Sequence, residues 1–359
     1  GLQQKNTEKI ALLQSIVRQP GGSPYLNDAR YELAVAYLDE SKFREAIEAL
    51  EPLTSGADQR KAPAAWLKTG FAWQELNEVP NAIKAYRQVI TGYPASEERA
   101  AALEALRNLY IQSNQPEAYA QLLKEQDIPD AGEQALDSTY YAAAETQFAA
   151  GHYAEAKKAM AQYLAQYPNG LFRLKAHFYL AESHVFLKEN KEALAAYDAV
   201  LSEPWNDFSE SSAAKAAGIA YREGDYVAAT RYYQALREHA VSPELSQQVY
   251  AGLMRTSYQQ QLYKETVAYA DTLSAQAGVS DALLAEARLH TARALLQQGE
   301  TEMALPLFRE LSGDRNAAVA AEARYRVAEI HLKQNKLSEA EALASQAVKL
   351  SAGQDYWIV

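Results

Sequence analysis

The sequence predicts an all-α fold made of about nine helix-turn-helix units that stack in a row. The first observation is a short motif, in which a bulky residue is followed by two variable residues and an alanine, as in Phe43 to Ala46 and Tyr153 to Ala156. We call its last residue the landmark position. Nine copies, some degenerate, place the landmark 36 to 38 residues apart, at positions 46, 82, 119, 156, 193, 229, 266, 304 and 340. A fixed period of this length indicates a repeat architecture.

The second observation is a small residue twelve positions before the landmark in seven units. Helices approach to about 8–10 Å only where side chains are small, so we expect the first helix of each unit to cross the second here. The seven residues are Ala34, Gly70, Ala144, Ala181, Ala217, Ala292 and Ala328, and the exceptions are Arg107 and Met254. Apolar residues on both sides of the turn also recur at helical spacing, as in Leu33, Ala34 and Tyr37.

Turn residues and prolines mark where the predicted helices begin and end. Glycine separates the two helices of three units, at positions 151, 224 and 299. Pro63 and Pro243 suit the first turn of a helix, where the missing N–H costs little. Pro306 falls inside a second helix, where we expect a mild kink.

The sequence also predicts how the array is bounded. Residues 1–26 read as a partial repeat with a second helix only, and residues 27–359 read as one continuous array. We expect looser packing near 122–137, where the intervening loop is longer, and an incomplete last unit from about 355. Because we see no polar capping helix at either end, we expect the chain to be part of a longer repeat protein.

The pattern resembles the tetratricopeptide repeat family, whose units are helix-turn-helix pairs. The segment from Trp66 through Gly70 to Trp73, followed by Ala82 and Tyr86, carries the resemblance most closely. The resemblance implies a right-handed α-α superhelix that binds protein or peptide partners on the concave face of its first helices. The long period also resembles bacterial repeat proteins of envelope and outer-membrane assembly, which favours the periplasm or cell envelope over the cytoplasm.

Composition argues against several other functions. The chain has 46 Asp and Glu residues and 35 Lys and Arg residues, so its net charge is −11. This negative charge disfavours binding to nucleic acid. It lacks cysteine, catalytic sequence motifs and any apolar run of about 18 residues that would insert into a membrane. His177 and His184 share a helix face but lie about 10.5 Å apart along its axis, too far for one metal ion. We therefore predict no enzymatic activity, no cofactor, no metal site and no direct membrane insertion. The sequence leaves the oligomeric state open.

The candidate partner-binding residues are those that the repeat register places on the concave face but outside the core. One per unit, the arginines at 222, 255 and 293 offer a ladder that could hold carboxylates bidentately. Ordinary exposed charge explains the same arginines. The alternative function is a glycan- or small-ligand-binding module that uses the concave-face tyrosines, although many tyrosines occupy packing positions. The candidates are Tyr141, Glu145, Phe148, Phe178, Glu182, Tyr221, Arg222, Arg255, Tyr258, Arg293, Tyr325 and Glu329.

Overall fold

A computed structural model describes residues 2–19, 24–56, 59–128 and 133–351, and these contain nineteen α-helices and no strand. The predicted last unit from about 355 lies outside the described residues. The helices are α1 Leu2–Val17, α2 Leu26–Asp39, α3 Phe43–Ser55, α4 Ala62–Glu75, α5 Val79–Gly92, α6 Glu98–Gln112, α7 Pro116–Glu125, α8 Glu133–Ala149, α9 Tyr153–Gln166, α10 Arg173–Phe186, α11 Asn190–Leu201, α12 Ser209–Arg222, α13 Tyr226–His239, α14 Pro243–Gln259, α15 Tyr263–Ser274, α16 Asp281–Gln297, α17 Thr301–Leu311, α18 Ala317–Lys333 and α19 Leu337–Ser351.

Helices α2 to α19 form nine consecutive pairs, which confirms the predicted all-α helical-repeat fold. The second helix of every pair begins at the first residue of the sequence motif, from Phe43 in α3 to Leu337 in α19. Because the motif marks a helix start, its 36–38-residue spacing is the length of one helix pair with its two turns.

The chain divides into two compact units, Gly1–Ser183 and His184–Val359. In the first unit each helix from α1 to α8 contacts the next, and the first helices α2, α4, α6 and α8 also contact one another in turn. In the second unit α11 to α19 follow the same rule, with α14, α16 and α18 in contact. Each unit is therefore a stack in which first helices lie beside first helices.

The core consists of many small clusters, each shared by neighbouring helices. One such cluster joins Ala292 of α16, Phe308 of α17 and Val327 of α18. The predicted small residues lie at the helix crossings, as expected, because Ala34 and its landmark Ala46 are both fully buried. No room is left there, since a Cβ atom added at Gly70 would lie 2.6 Å from the ring of Tyr86.

Every helix-turn-helix turn contains one residue with a left-handed backbone, five positions before the landmark. Glycine occupies this place in three units and asparagine in three others, and the remaining residues are Ser41, Lys188 and Gln261, with φ between 57° and 61°. The next residue donates its backbone N–H to the carbonyl five positions earlier, as Glu189 does to His184 at 2.9 Å. This is the Schellman geometry that ends helices, and it repeats through the array.

The exceptional unit α6–α7 is the one that departs most from the sequence pattern. Helix α7 has only ten residues, and Arg107 replaces the small residue of α6. Its guanidinium donates from Nε to Thr139 Oγ1 at 2.7 Å and from Nη2 to Ser138 Oγ at 2.8 Å, both in α8. Arg107 thus makes a polar contact between neighbouring first helices at the position where seven other units have a small residue.

Candidate functional site

The predicted site residues lie on the first helices, and all of them except Arg222 fall at three recurring positions of the repeat. Relative to the landmark these are fifteen, eleven and eight positions before it, which place side chains on one face of a helix.

In the Gly1–Ser183 unit, Tyr141 is a packing residue with a polar tip. Its side chain is only 2% exposed, and its ring stacks on Phe172 at 4.6 Å and meets Tyr163 edge-on at 5.7 Å. The hydroxyl donates to Glu145 Oε1 at 2.9 Å. Burial first, and then this hydrogen bond, raise the pKa of Tyr141 well above its ordinary value. Tyr141 therefore offers little accessible surface to a partner.

Glu145 connects its helix to the next first helix. Its Oε1 lies 2.8 Å from Lys175 Nζ, and the ammonium group also lies over the Tyr141 ring at 5.3 Å from the centroid. The aromatic residue, the carboxylate and the lysine thus form one contact between α8 and α10, with the carboxylate still about one-third exposed.

The remaining candidates of this unit are packed to different degrees. Phe148 meets Tyr153 edge-on at 5.4 Å and Tyr179 at 4.7 Å, and Phe178 meets Tyr179 at 5.6 Å. Both phenylalanines are half-buried, whereas Glu182 is 8% exposed. Glu182 therefore offers little surface to a partner.

In the His184–Val359 unit, two arginines of the predicted ladder are paired with carboxylates of the protein itself. Arg255 of α14 donates to Glu286 of α16 from Nε at 2.5 Å and from Nη2 at 2.7 Å. Arg293 of α16 holds Glu322 of α18 in the same bidentate way, with Nε to Oε1 at 2.5 Å. The two clamps use the same repeat positions as Glu145 and Lys175, with the charges exchanged. These arginines are therefore not simply exposed charges.

The clamps also shape the electrostatics of the face. Although burial raises the pKa of Glu286, the hydrogen bond and charge of Arg255 dominate and hold it below its ordinary value. The hydrogen bond to Glu286 in turn raises the pKa of Arg255, which remains a cation held in one place. Two donors of each clamped guanidinium are used by glutamate, and Nη1 remains as a further donor group.

Arg222 differs from the other two arginines of the predicted ladder. It lies at the C-terminal end of α12, is exposed, and makes no ion pair with any residue that the structure describes. Its Nη1 lies 3.5 Å from where a Cβ atom would stand on Gly218. The residue at the clamp position of this unit is Gly218 itself, so Arg222 lies one helical turn away from the position that Arg255 and Arg293 occupy in their units.

Tyrosines flank these arginines. Tyr221 meets Tyr226 edge-on at 5.4 Å, Tyr258 lies 5.4 Å from His290 and under the Arg293 guanidinium at 6.0 Å, and Arg326 lies over Tyr325 at 5.3 Å. All three tyrosines are half-buried.

Glu329 completes the set at the last described first helix. It accepts from Arg326 at 3.0 Å and from Lys333 at 3.1 Å on its own helix. Burial raises its pKa, but these two cations outweigh it and lower the pKa below the ordinary value.

Sequence reasoning missed the acidic and basic partners Lys175, Glu286 and Glu322. The signal was available, because each lies 29 to 31 residues after the opposite charge that it binds, slightly less than one repeat. Looking for opposite charges at that spacing would have found them.

Within the described ranges, no group of three or more His, Asp or Glu side chains is placed to hold a metal ion. The helices seen in those same ranges also include none that is long and apolar enough to cross a membrane.

Fold and site together define a helical-repeat protein with a polar and aromatic face on its first helices. The family profile of the tetratricopeptide repeat matches residues 31–97, 141–208 and 289–355, more than half of the chain. The chain belongs to the tetratricopeptide repeat family. Members of this family are in general protein–protein interaction scaffolds without catalytic activity, and this chain has that architecture.

Comparison with solved structures gives distant likenesses only. The Cut9-Hcn1 tetramer of the APC/C matches at 13% identity and a TM-score of 0.37, covering 98% of this chain and 65% of the matched one. The C-terminal part of a repeat protein from Cytophaga hutchinsonii matches at 15% identity and a TM-score of 0.37, covering 71% of this chain and 98% of the matched one. The structure of Naa15/Naa10 bound to HypK-THB matches at 15% identity and a TM-score of 0.40, covering 99% of this chain and 62% of the matched one.

The chain thus spans less than two thirds of the length of the first and third of these structures. None of the three is similar enough to support an argument about function. No curated protein matches the sequence.

Proposed function

We propose that this protein is a non-enzymatic scaffold that binds an extended peptide or a partner helix on the face of its first helices. The observation that carries the proposal is the set of arginines and tyrosines on that face in the His184–Val359 unit. Arg255 and Arg293 are held in place by Glu286 and Glu322, so they lose little conformational freedom when a partner binds. Arginine and tyrosine are also the residue types enriched at binding hot spots.

The alternative of glycan or small-ligand binding has less support. Sugar stacking needs exposed ring faces, whereas Tyr141 is buried and Tyr258 and Tyr325 are engaged by neighbouring rings or guanidinium groups. A screen of the full chain against oligosaccharides is expected to show no binding, and a hit that disappears in Tyr325→Ala would revive this alternative.

Site-specific photocrosslinking tests the location of the binding face. A photoreactive amino acid is placed at Arg222 or Tyr325 on the first helices, and at Val227 or Met303 on the second helices as controls. The control positions are exposed and belong to the same compact unit. We expect the same partner to be captured from both first-helix positions and from neither control. Equal capture from all four positions would contradict the proposal.

A role in bacterial envelope assembly is the finer part of the proposal, and the 36–38-residue period supports it. Fractionation of cells that express the tagged full-length protein tests it, together with identification of the crosslinked partner. Recovery of the protein and its partner in the cytoplasm would rule out this role and leave the scaffold function intact.

A further inference from the structure

One pocket on the first-helix face of the His184–Val359 unit has an apolar floor and a cationic rim. Its volume is about 270 Å³, and buried Leu236 and Val249 line its floor together with Leu283. Gln248 and Arg255 stand at its polar side. Pockets for drug-sized ligands are usually about 300–1,000 Å³, so this one suits a single inserted side chain.

The pocket occurs where the repeat has lost two side chains. Tyr141 and Glu145 of α8 have Ala214 and Gly218 as their counterparts in α12, two repeats or 73 residues later. In α8 the aromatic ring packs against Tyr163, whose counterpart is the pocket residue Leu236. The space over Leu236 is therefore the place that an aromatic ring fills in the other repeat.

The same comparison explains the polar side of the pocket. In the complete repeat, the Glu145 carboxylate accepts from the Tyr141 hydroxyl and binds Lys175. At the pocket the carboxylate is missing, and Gln248 stands in the place of Lys175. No carboxylate of the first helix α12 occupies this position, because Gly218 has no side chain.

Two arginines supply positive charge at this point. Arg255 lines the pocket and has Nη1 left as a donor beyond its Glu286 clamp. Arg222, which makes no ion pair with any described residue, extends over Gly218. Tyr233 lines the same pocket as Arg255, and although burial raises the pKa of Tyr233, the positive charges of Arg255 and Arg222 oppose that rise. The pocket thus complements a ligand that carries negative charge.

We propose that this pocket anchors a partner helix that inserts an aromatic side chain and presents a glutamate four residues away to Arg222 and Arg255. The protein's own Tyr141 and Glu145 show the chemistry, because an aromatic ring and a carboxylate four residues apart occupy the equivalent place. The proposal names the partner for the scaffold function proposed above and rests on it.

A helical peptide of alanine and glutamine with one phenylalanine and a glutamate four residues later is the probe. Fluorescence anisotropy measures its binding to the full-length protein. Burial of an aromatic side chain contributes enough that phenylalanine-to-alanine replacement in the peptide should weaken binding about tenfold or more. Replacement of the peptide glutamate by glutamine should weaken it similarly and abolish most of its dependence on salt.

Substitutions in the protein locate the binding to the pocket. Ala214→Phe should fill the pocket with an aromatic ring of the protein itself and so prevent the peptide phenylalanine from entering. Arg222→Gln should weaken peptide binding about tenfold. Arg231→Gln is the matched control, because Arg231 is an exposed arginine of the same unit on the second helix α13. It should leave binding unchanged, and circular dichroism checks that each variant is folded.

Binding that is unaffected by Ala214→Phe, or that does not depend on the peptide phenylalanine and glutamate, would overturn the proposal. Failure of the peptide to bind at all would overturn it as well. The scaffold function is judged separately by the photocrosslinking at Arg222 and Tyr325, so partner capture there without peptide binding rejects the pocket alone.

Discussion

At the scale of single residues, the left-handed position in each turn is filled in chemically unequal ways. Glycine reaches this conformation freely, whereas a side-chain-bearing residue pays about 1–2 kcal/mol. Lys188 and Gln261 are exposed, and no described contact of their side chains compensates for this strain. These two turns are therefore less stable than they need be.

We expect Lys188→Gly to raise the free energy of unfolding by about 0.5–1 kcal/mol. The relief of steric strain in the left-handed backbone should exceed the conformational entropy that glycine adds to the unfolded chain. Thermal and urea melts measure the effect. Lys188→Ala is the control and should bring no gain, since alanine keeps the steric conflict. Equal stabilisation by both would show that the lysine side chain, and not its backbone conformation, is responsible.

His290 is a buried histidine that we expect to make the stability of the protein depend on pH. It is buried in α16, donates from Nδ1 to the Glu286 carbonyl at 3.0 Å, and packs edge-on to Tyr258. Burial is the main cause that lowers its pKa below 6.5, and the nearby Arg293 and Arg255 act in the same direction, against the Glu286 carbonyl and carboxylate. The folded protein therefore prefers the neutral ring.

Because the folded state binds this proton less readily than the unfolded state, stability due to His290 is complete above about pH 6.5 and is lost as the pH falls toward the folded pKa. We expect the melting temperature of the protein to fall between pH 7.5 and 5.5, and His290→Gln to reduce that fall. His152→Gln removes an exposed histidine as a control. An unchanged pH profile in His290→Gln would contradict the prediction.

At the scale of elements, neighbouring first helices are joined by polar clamps as well as by apolar packing. The Glu322 side chain is only 7% exposed, and Arg293 is its bidentate partner. A carboxylate at that depth without its partner is costly. The clamp therefore fixes how α16 and α18 lie against each other, in addition to offering a cation on the surface.

Arg293→Ala should lower the free energy of unfolding by about 1–3 kcal/mol, since it removes both hydrogen bonds of the clamp and leaves the buried Glu322 carboxylate with only the Arg326 guanidinium, 3.9 Å away. The double variant with Glu322→Ala should recover part of this loss, because the uncompensated charge is then gone. Denaturant melts of the two single variants and the double variant measure the coupling. Strict additivity of the two changes would show that the clamp contributes nothing to stability.

At the scale of the whole molecule, stability is distributed along a row of local contacts. Within each compact unit helices contact their sequence neighbours, and the core clusters of the described residues join only neighbouring helices. In such arrays stability is roughly a sum of repeat and nearest-neighbour terms. A local defect should therefore remain local.

Ala156→Leu provides this test, because Ala156 is fully buried at the crossing of α8 and α9. Overpacking should cost about 1–3 kcal/mol, and hydrogen exchange should speed up in α8 and α9 but not in α16 to α18. Ala161→Leu, at an exposed position of α9, is the control and should have little effect. Loss of protection along the entire chain would show that the repeats unfold as one cooperative body.

The sequence by itself determined the helices, their pairing and the repeat boundaries. These depend on residues close in the chain: the landmark motif sets the start of each second helix, and small residues such as Ala34 and Ala144 lie at the crossings. Because the same local pattern recurs nine times, degenerate copies such as the one at 119 were still found from their spacing.

Only the tertiary structure decided what the candidate site residues do. Register placed Tyr141 and Arg255 on the correct helices, but it could not show that one is buried against Phe172 and the other is clamped by Glu286. Nor could it show that a pocket opens between Ala214 and Arg255, or that Arg222 extends over Gly218. The physical reason is that burial and ion pairing depend on side chains a whole repeat away, while helix formation depends on neighbours within a turn or two.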